Sequence, residues 1–467
     1  MKYFLLALFS CSIFVWTSCR KDPSLEDDLL YAEEGEEKSG GELTVYDDTP
    51  NAFGHQIPGL STQQGLDFFT GNSFFNQNWV TAPSITTARD GLGPLFNSRS
   101  CAGCHFRDGR GRPPSPGEFG TGFLVRTSIS GIGLHNEPVP ENNYGGQLQD
   151  QAILGVDPEV TISINELLVN GNYPDGTVYQ LLQPDYQFSQ WKYGNPDPAI
   201  RYSPRVAQQM IGLGLLEIIP ESQILERADE TDVDGNGISG KANYVWNYRT
   251  LQSELGRFGW KANQPDLFQQ TAGAFLGDMG ITTSLFINEN CTSAEIDCAA
   301  APNGGTPEID DLDLNKVVLY CRSLAVPARR NWSDQSVLRG KNLFVQIGCE
   351  DCHRMNFTTG ISVDIPVLSL QKIHPYSDLL LHDMGPGLAD GRNDFLASGS
   401  EWRTQPLWGI GLIEIVNGHS RLLHDGRARS IEEAILWHGG EAQLSNTKFK
   451  QLTLSQREDV LNFIRSL

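Results

Sequence analysis

Cys101-Ala102-Gly103-Cys104-His105 and Cys349-Glu350-Asp351-Cys352-His353 are two copies of one pattern, Cys-x-x-Cys-His, hundreds of residues apart. With 9 Cys and 9 His in 467 residues, chance would supply about 0.003 such matches. The pattern is the covalent attachment site of a c-type haem. The two thiols add to the two vinyl groups of one haem, and the adjacent histidine becomes the proximal iron ligand. A zinc site made from both Cys-x-x-Cys pairs would need them roughly 15–20 residues apart. The expected cofactors are therefore two covalent haems, the first on Cys101 and Cys104 with His105 proximal, the second on Cys349 and Cys352 with His353 proximal.

Outward from each pentapeptide the chain repeats itself. Ser336 to Gly348 carries Val337, Phe344 and Ile347 on one helical face, with glycine and aromatic four apart at Gly340 and Phe344. Before the first pentapeptide the segment from Ser61 repeats that pair at Gly65 and Phe69. Leu314 to Leu324 and Glu458 to Leu467 both read as amphipathic helices ending in an aromatic and then Arg-Ser-Leu. This internal duplication predicts a mainly α fold with two cytochrome c-like haem domains in tandem, at 55–327 and 335–467. Residues 327–334 form the linker. An insertion at 115–255, rich in Gly, Pro, Asn and Asp, is expected to be loop-dominated, with a short helix over Pro204 to Leu216.

At the N-terminus, Lys2 precedes an apolar run from Tyr3 to Trp16 and then Thr17-Ser18-Cys19. The run is shorter than the roughly 20 residues a membrane span needs, and it reads as an export signal at 1–19. Lipidation of Cys19 is one outcome and ordinary secretory cleavage nearby is the other. Residues 20–54 are acidic and poor in apolar side chains, the composition of an unfolded tether. The expected location is outside the cytoplasm, facing the periplasm or cell surface, with the membrane touched only through the lipid. A net charge of −22 argues against nucleic acid, and suits a basic electron-transfer partner or plain solubility. With Cys11, Cys19 and the haem thiols set aside, Cys291, Cys298 and Cys321 remain. In an oxidising compartment the near pair Cys291 and Cys298 is expected to form a disulfide, with Cys321 a buried thiol in a helix.

Asp232, Asp234 and Asn236 alternate around Gly235 like the opening of a calcium loop, but position 12 is Asn243, so calcium and a plain turn both stay open. For the sixth position of the first haem, His135, Met210 and Met279 are candidates, Met279 through the word Gly277-Asp278-Met279-Gly280, and an open site is the alternative.

The words around these residues resemble the bacterial di-haem cytochrome c peroxidase and MauG superfamily, nearest its long-insert di-haem oxidoreductase (thiol oxidoreductase) branch. They are Ser100 to Pro114, Gly256-Arg257-Phe258-Gly259-Trp260-Lys261-Ala262, Leu381-His382-Asp383-Met384-Gly385, Trp402 to Gly409, and Leu423-His424-Asp425-Gly426-Arg427-Ala428, spanning roughly 60–467. The resemblance implies a distal ligand for the second haem fourteen residues beyond His424, usually methionine; here it is His438, which should lower that haem's potential. It implies an aromatic residue between the haems, for which Trp260 is the candidate, and a distal carboxylate, for which Glu289, Glu295 and Asp297 are unranked. Calcium between the domains is usual in that superfamily. Arg403, Arg427 and Arg429 are candidates for haem propionates or are simply solvated; His374, His382 and His419 read as structural.

Three functions follow. The first is a peroxidase-like oxidoreductase, with peroxide or another small molecule at the first haem and electrons relayed through the second. The second is an electron-transfer cytochrome with both irons six-coordinate. The third is a haem-dependent accessory protein at the cell surface.

Overall fold

The structure is a computed structural model that describes residues 31–467. The expected export signal with Cys19, and the first part of the acidic segment, lie outside the described residues. Expectation and structure part first over fold class. Among the described residues 28% are helical and 18% strand, in six small sheets, so the fold is mixed α and β rather than mainly α.

The principal elements run, in order, α1 (Thr62–Asn76), β1 (Phe123–Ser128), β2 (Thr161–Asn172), β3 (Val178–Ser189), β4 (Arg201–Val206), β5 (Tyr244–Asn247), β6 (Gln252–Leu255), α2 (Leu267–Met279), α3 (Asp311–Arg322), α4 (Gln335–Gln346), β7 (Leu381–Asp383), β8 (Glu401–Arg403), α5 (Ile431–Trp437), α6 (Gln443–Gln451) and α7 (Leu454–Ser466). Most of the strand lies in the insertion. β1 is the centre of a three-stranded antiparallel sheet between Gln147–Leu148 and β4. β2 and β3 form a twelve-residue antiparallel ribbon, paired from Thr161↔Ser189 to Asn172↔Val178. The expected helix over Pro204–Leu216 is instead the end of β4, a turn, and the short helix Leu213–Glu217. Pro204 sits opposite Val125 in the sheet.

The helices carry the duplication. α1 crosses α3, and α4 crosses α7, each at a glycine. A Cβ on Gly71 would lie 2.0 Å from the Lys316 carbonyl oxygen, and one on Gly340 would lie 1.9 Å from that of Asp459. No other residue lets two backbones approach so closely. One turn on, Phe75 and Phe344 each lie 6.1 Å from the histidine of their pentapeptide, His105 and His353. The same rings meet Tyr320 and Phe463 of the closing helices at 5.1 and 5.2 Å. The counterpart of Gly340 and Phe344 is thus Gly71 and Phe75, one and a half turns beyond the pair picked from sequence. Phe69 is 61% exposed, and a Cβ on Gly65 would meet nothing.

The expected tether also differs. From Glu36 to residue 54 the chain is folded against the body. Glu36 is buried between Arg329 (2.5 Å) and Lys341 (3.0 Å), and Val45 bridges Pro327. These ion pairs bury both the acidic segment and the linker residue Arg329, because a charge enters a core only with its partner.

Candidate redox site

Two cavities open beside the two pentapeptides. The first, about 170 Å³, is lined by Cys101, Cys104 and His105; the second, about 200 Å³, by Cys349, Cys352, His353 and His438. All four cysteines are free thiols. Short helical turns at Cys101–Cys104 and Cys349–Asp351 put both thiols of each pair on the cavity wall.

The histidines share one geometry. Nδ1 of His105 hydrogen-bonds the Gln208 carbonyl (2.7 Å), that of His353 the Tyr376 carbonyl (2.9 Å), and that of His438 the Ala434 carbonyl (2.7 Å). This fixes the tautomer and leaves Nε2 as the free lone pair, as for a metal-ligating imidazole. Burial lowers the pKa of all three, that of His353 to about 4, so they are held neutral. His382 also lines the second cavity, but Asp378 and Glu441 occupy its two nitrogens at 2.8 Å each, so it has no lone pair to give.

α5 and α2 present matching faces. Ser430 caps α5 by accepting from Glu433 N, and Asp266 caps α2 by accepting from Gln269 N. Counted from these caps, α5 lines the second cavity with Ile431, Ala434, Ile435 and His438. α2 lines the first with Leu267, Gln270, Thr271 and Ala274 at the same four positions. Ala274 therefore stands where His438 stands, and the first cavity has a methyl group in place of an imidazole. Gln270 and Thr271 replace two apolar side chains, which makes this wall polar.

Met210 and Met279 line the first cavity, Met279 beyond the position matched to His438. His135 does not; it stacks on Trp246 at 3.7 Å. Glu289, Glu295 and Asp297 line neither cavity. The disulfide Cys291–Cys298 closes their segment into a loop, and the bond from Thr292 Oγ1 to the Asn143 carbonyl (2.9 Å) ties it to the insertion. The carboxylate that does line the first cavity is Asp278, which accepts from Gln147 Nε2 at 2.9 Å.

Trp260 lines both cavities. Its Nε1 donates to the Val206 carbonyl (2.8 Å), and the Arg110 guanidinium lies 5.0 Å from its ring. Beside it His424 stacks on Trp402 at 3.8 Å. Lys261 is fully buried, with Nζ bound to Asp390 and two carbonyls, and burial pushes its pKa down to about 8. Cationic side chains also face the cavities. Arg126 lines the first, and burial lowers its pKa against the attraction of Asp278. Arg403 lines the second with Nε buried and unpartnered, and burial pushes its pKa down to about 9. Arg427 and Arg429 are taken up by Asp425 and Glu433.

The oxygens of Asp229, Asp232 and Asp234 lie within 4.8 Å of one another; Asp229 was not picked from sequence. Asn236 folds back on this turn, its Nδ2 donating to Asp234 (3.0 Å). Asn243 is buried elsewhere, donating to the carbonyls of Lys261 and Asp394, and takes no part in the loop.

The family model described as "Di-haem oxidoreductase, putative peroxidase" matches residues 33–156 and 192–467. The chain belongs to this di-haem oxidoreductase family. None of the curated proteins matches it. Among solved structures, hydrazine synthase of Kuenenia stuttgartiensis matches at 12% identity and a TM-score of 0.33, covering 100% of both chains, a likeness too weak to argue from.

Two haems are the cofactors of a di-haem oxidoreductase, and the residues present fit them. Each cavity offers two free thiols, a neutral histidine with Nε2 unclaimed, and an arginine able to face a propionate. The family match skips residues 157–191, which hold the whole of the β2–β3 ribbon.

Proposed function

We propose that this di-haem oxidoreductase is an exported c-type peroxidase-like enzyme, with substrate at the first cavity and electrons arriving through the second. Cys101 and Cys104 would hold one haem by thioether bonds with His105 as an iron ligand, and Cys349 and Cys352 the other, with His353 and His438 as iron ligands. Each haem supplies a one-electron couple and, where its sixth position is free, a place for a small oxidant.

The observation that carries this reading is the helix register that puts Ala274 opposite His438. On the second side His438 lines the cavity with Nε2 unclaimed and would serve a haem iron there as a nitrogen ligand. On the first side Ala274 leaves room, and Gln270 supplies an amide that can orient a bound peroxide. Reduction of hydrogen peroxide to two waters takes two protons and two electrons. Asp278 is the acidic group on that wall able to hold a proton, and Trp260, touching both cavities, supports passage of electrons from an exported donor protein. The acidic surface favours a basic donor. Anchoring by lipid at Cys19 and calcium at Asp229, Asp232, Asp234 and Asn236 belong to the same proposal.

Met279 and Met210 on the first cavity support a second reading, electron transfer with both irons closed. Low-temperature EPR of the fully oxidised and the half-reduced protein separates the two. A high-spin signal beside a low-spin bis-imidazole signal is expected of the enzyme. Two low-spin signals in both states would replace it with the electron-transfer reading.

A further inference from the structure

The β2–β3 ribbon falls in the stretch the family match skips. Each strand has twelve residues, so the ribbon is ~40 Å long at about 3.3 Å per residue. Its base packs Ile162, Ile164, Tyr186 and Phe188 into the cluster that holds Trp260 and Trp402. Midway, Leu167, Leu168 and Val169 of β2 are exposed, while Leu182 opposite Leu168 on β3 is buried. Its tip is buried again, and in the other half: Tyr173 enters the core of α4, α5 and α7 with Phe344, Leu436 and Ile464.

What the ribbon grips there is the helix that ends at His438. Tyr173 OH donates to Glu432 (2.7 Å), Leu182 N donates to Glu433 (2.5 Å), and Arg429 donates to the Gln180 carbonyl (3.0 Å). Arg457 covers the Tyr173 ring at 3.8 Å and pairs with Asp175 at 2.9 Å. Nearer the base, Tyr186 OH donates to Asp425 (2.8 Å), beside His424. The ribbon thus holds the segment from His424 to His438 at Asp425, near its start, and again from Arg429 to Glu433 on α5. Glu432 and Glu433 face the ribbon, whereas Ala434, Ile435 and His438 line the second cavity. Glu433 does not close a capping box on Ser430; its carboxylate takes N–H groups of Arg429 and Leu182.

We infer that the ribbon is a positioning element for the second haem, holding α5 so that His438 stays its sixth ligand in both oxidation states. Tyr173 and Glu433 are the positioning residues. The inference rests on His438 being that ligand. α5 is only seven residues long, and so short a helix holds its place by tertiary contact rather than by its own propensity.

The test uses the full-length, two-haem protein. In one variant an Asn-Gly turn joins Thr161 directly to Ser189; in a second, Tyr173→Ala loosens the tip alone. Both are compared with the parent by EPR and by carbon monoxide uptake after reduction. The expected result is a weakened bis-imidazole signal from the second haem and up to one more carbon monoxide bound per chain, with the first-haem signal unchanged. If the Tyr173→Ala protein, with both haems attached, keeps the parent's low-spin signal and carbon monoxide stoichiometry, the inference is overturned. The variant His438→Ala, with the ribbon intact, separates the premise: a second-haem signal unmoved by it would remove His438 as the ligand.

Discussion

At the scale of single residues, the contrast between Ala274 and His438 carries the functional argument, and it makes a sharp prediction. Each position stands eight residues beyond the cap of its helix and lines its cavity, His438 just past the end of α5 and Ala274 within α2, so Ala274→His should offer the first cavity an imidazole where the second already has one. The oxidised variant should show two low-spin signals, lose carbon monoxide and cyanide binding at the first haem, and lose peroxidase turnover. Retained high-spin signal and cyanide binding would mean that α2 does not face the iron as α5 does. The pentapeptides were legible because each carries its chemistry within five residues. His438 was reached by counting from His424. Ala274 could not be read from sequence at all, since an alanine announces nothing and its meaning lies in the register between two helices. The carboxylate on the first wall was missed for a related reason. Asp278 stands beside the methionine that drew attention, while Glu289, Glu295 and Asp297 were judged by sequence position, which the disulfide loop overrides.

Among elements, the helices that flank each pentapeptide repeat in space as they repeat in sequence, and their crossing glycines are the points of closest approach. Gly71→Ala and Gly340→Ala each force a methyl group against a carbonyl oxygen at about half the distance of an ordinary contact. Each should cost about 1–3 kcal/mol, the usual range for overpacking. Gly65→Ala, on the open side of α1, should be neutral or slightly stabilising, as alanine is the better helix former. Thermal melts of the three variants check this, and a neutral Gly71→Ala would mean that α1 and α3 separate readily. The same comparison explains what sequence could resolve. In α1, Gly65 with Phe69 and Gly71 with Phe75 are equally good small-aromatic pairs, and periodicity alone does not say which one meets a neighbour. The insertion was read as loop because its turn residues are dense. Yet Thr161-Ile162-Ser163-Ile164 alternates with period two, and β2 follows that alternation with Ile162 and Ile164 turned inward. Enough such strands lie between the helices to move the fold out of the mainly α class.

For the whole molecule, the two cavities are joined by a small set of buried groups, and Trp260 is the largest side chain on both walls. Its ring is fixed by the Val206 carbonyl, by Arg110 over its face and by the His424–Trp402 stack alongside. A buried aromatic held on several sides is rigid, which suits it to the proposed relay. Trp260→Phe keeps an aromatic ring but loses the indole N–H and part of the contact area. Its expected effect is kinetic: after a pulse of reductant the two haems should equilibrate more slowly, and turnover with peroxide should fall with it. Axial ligation by EPR and the two reduction potentials should stay as in the parent, because Trp260 takes no part in the histidine hydrogen bonds to Gln208, Tyr376 and Ala434. Stopped-flow reduction followed at both haem bands reads the rate directly. An unchanged rate with unchanged ligation would take Trp260 out of the relay and leave it as packing between the two halves. A shift in either potential would instead show that the tryptophan sets the polarity of a haem pocket, so the kinetic and thermodynamic roles are told apart by one pair of measurements.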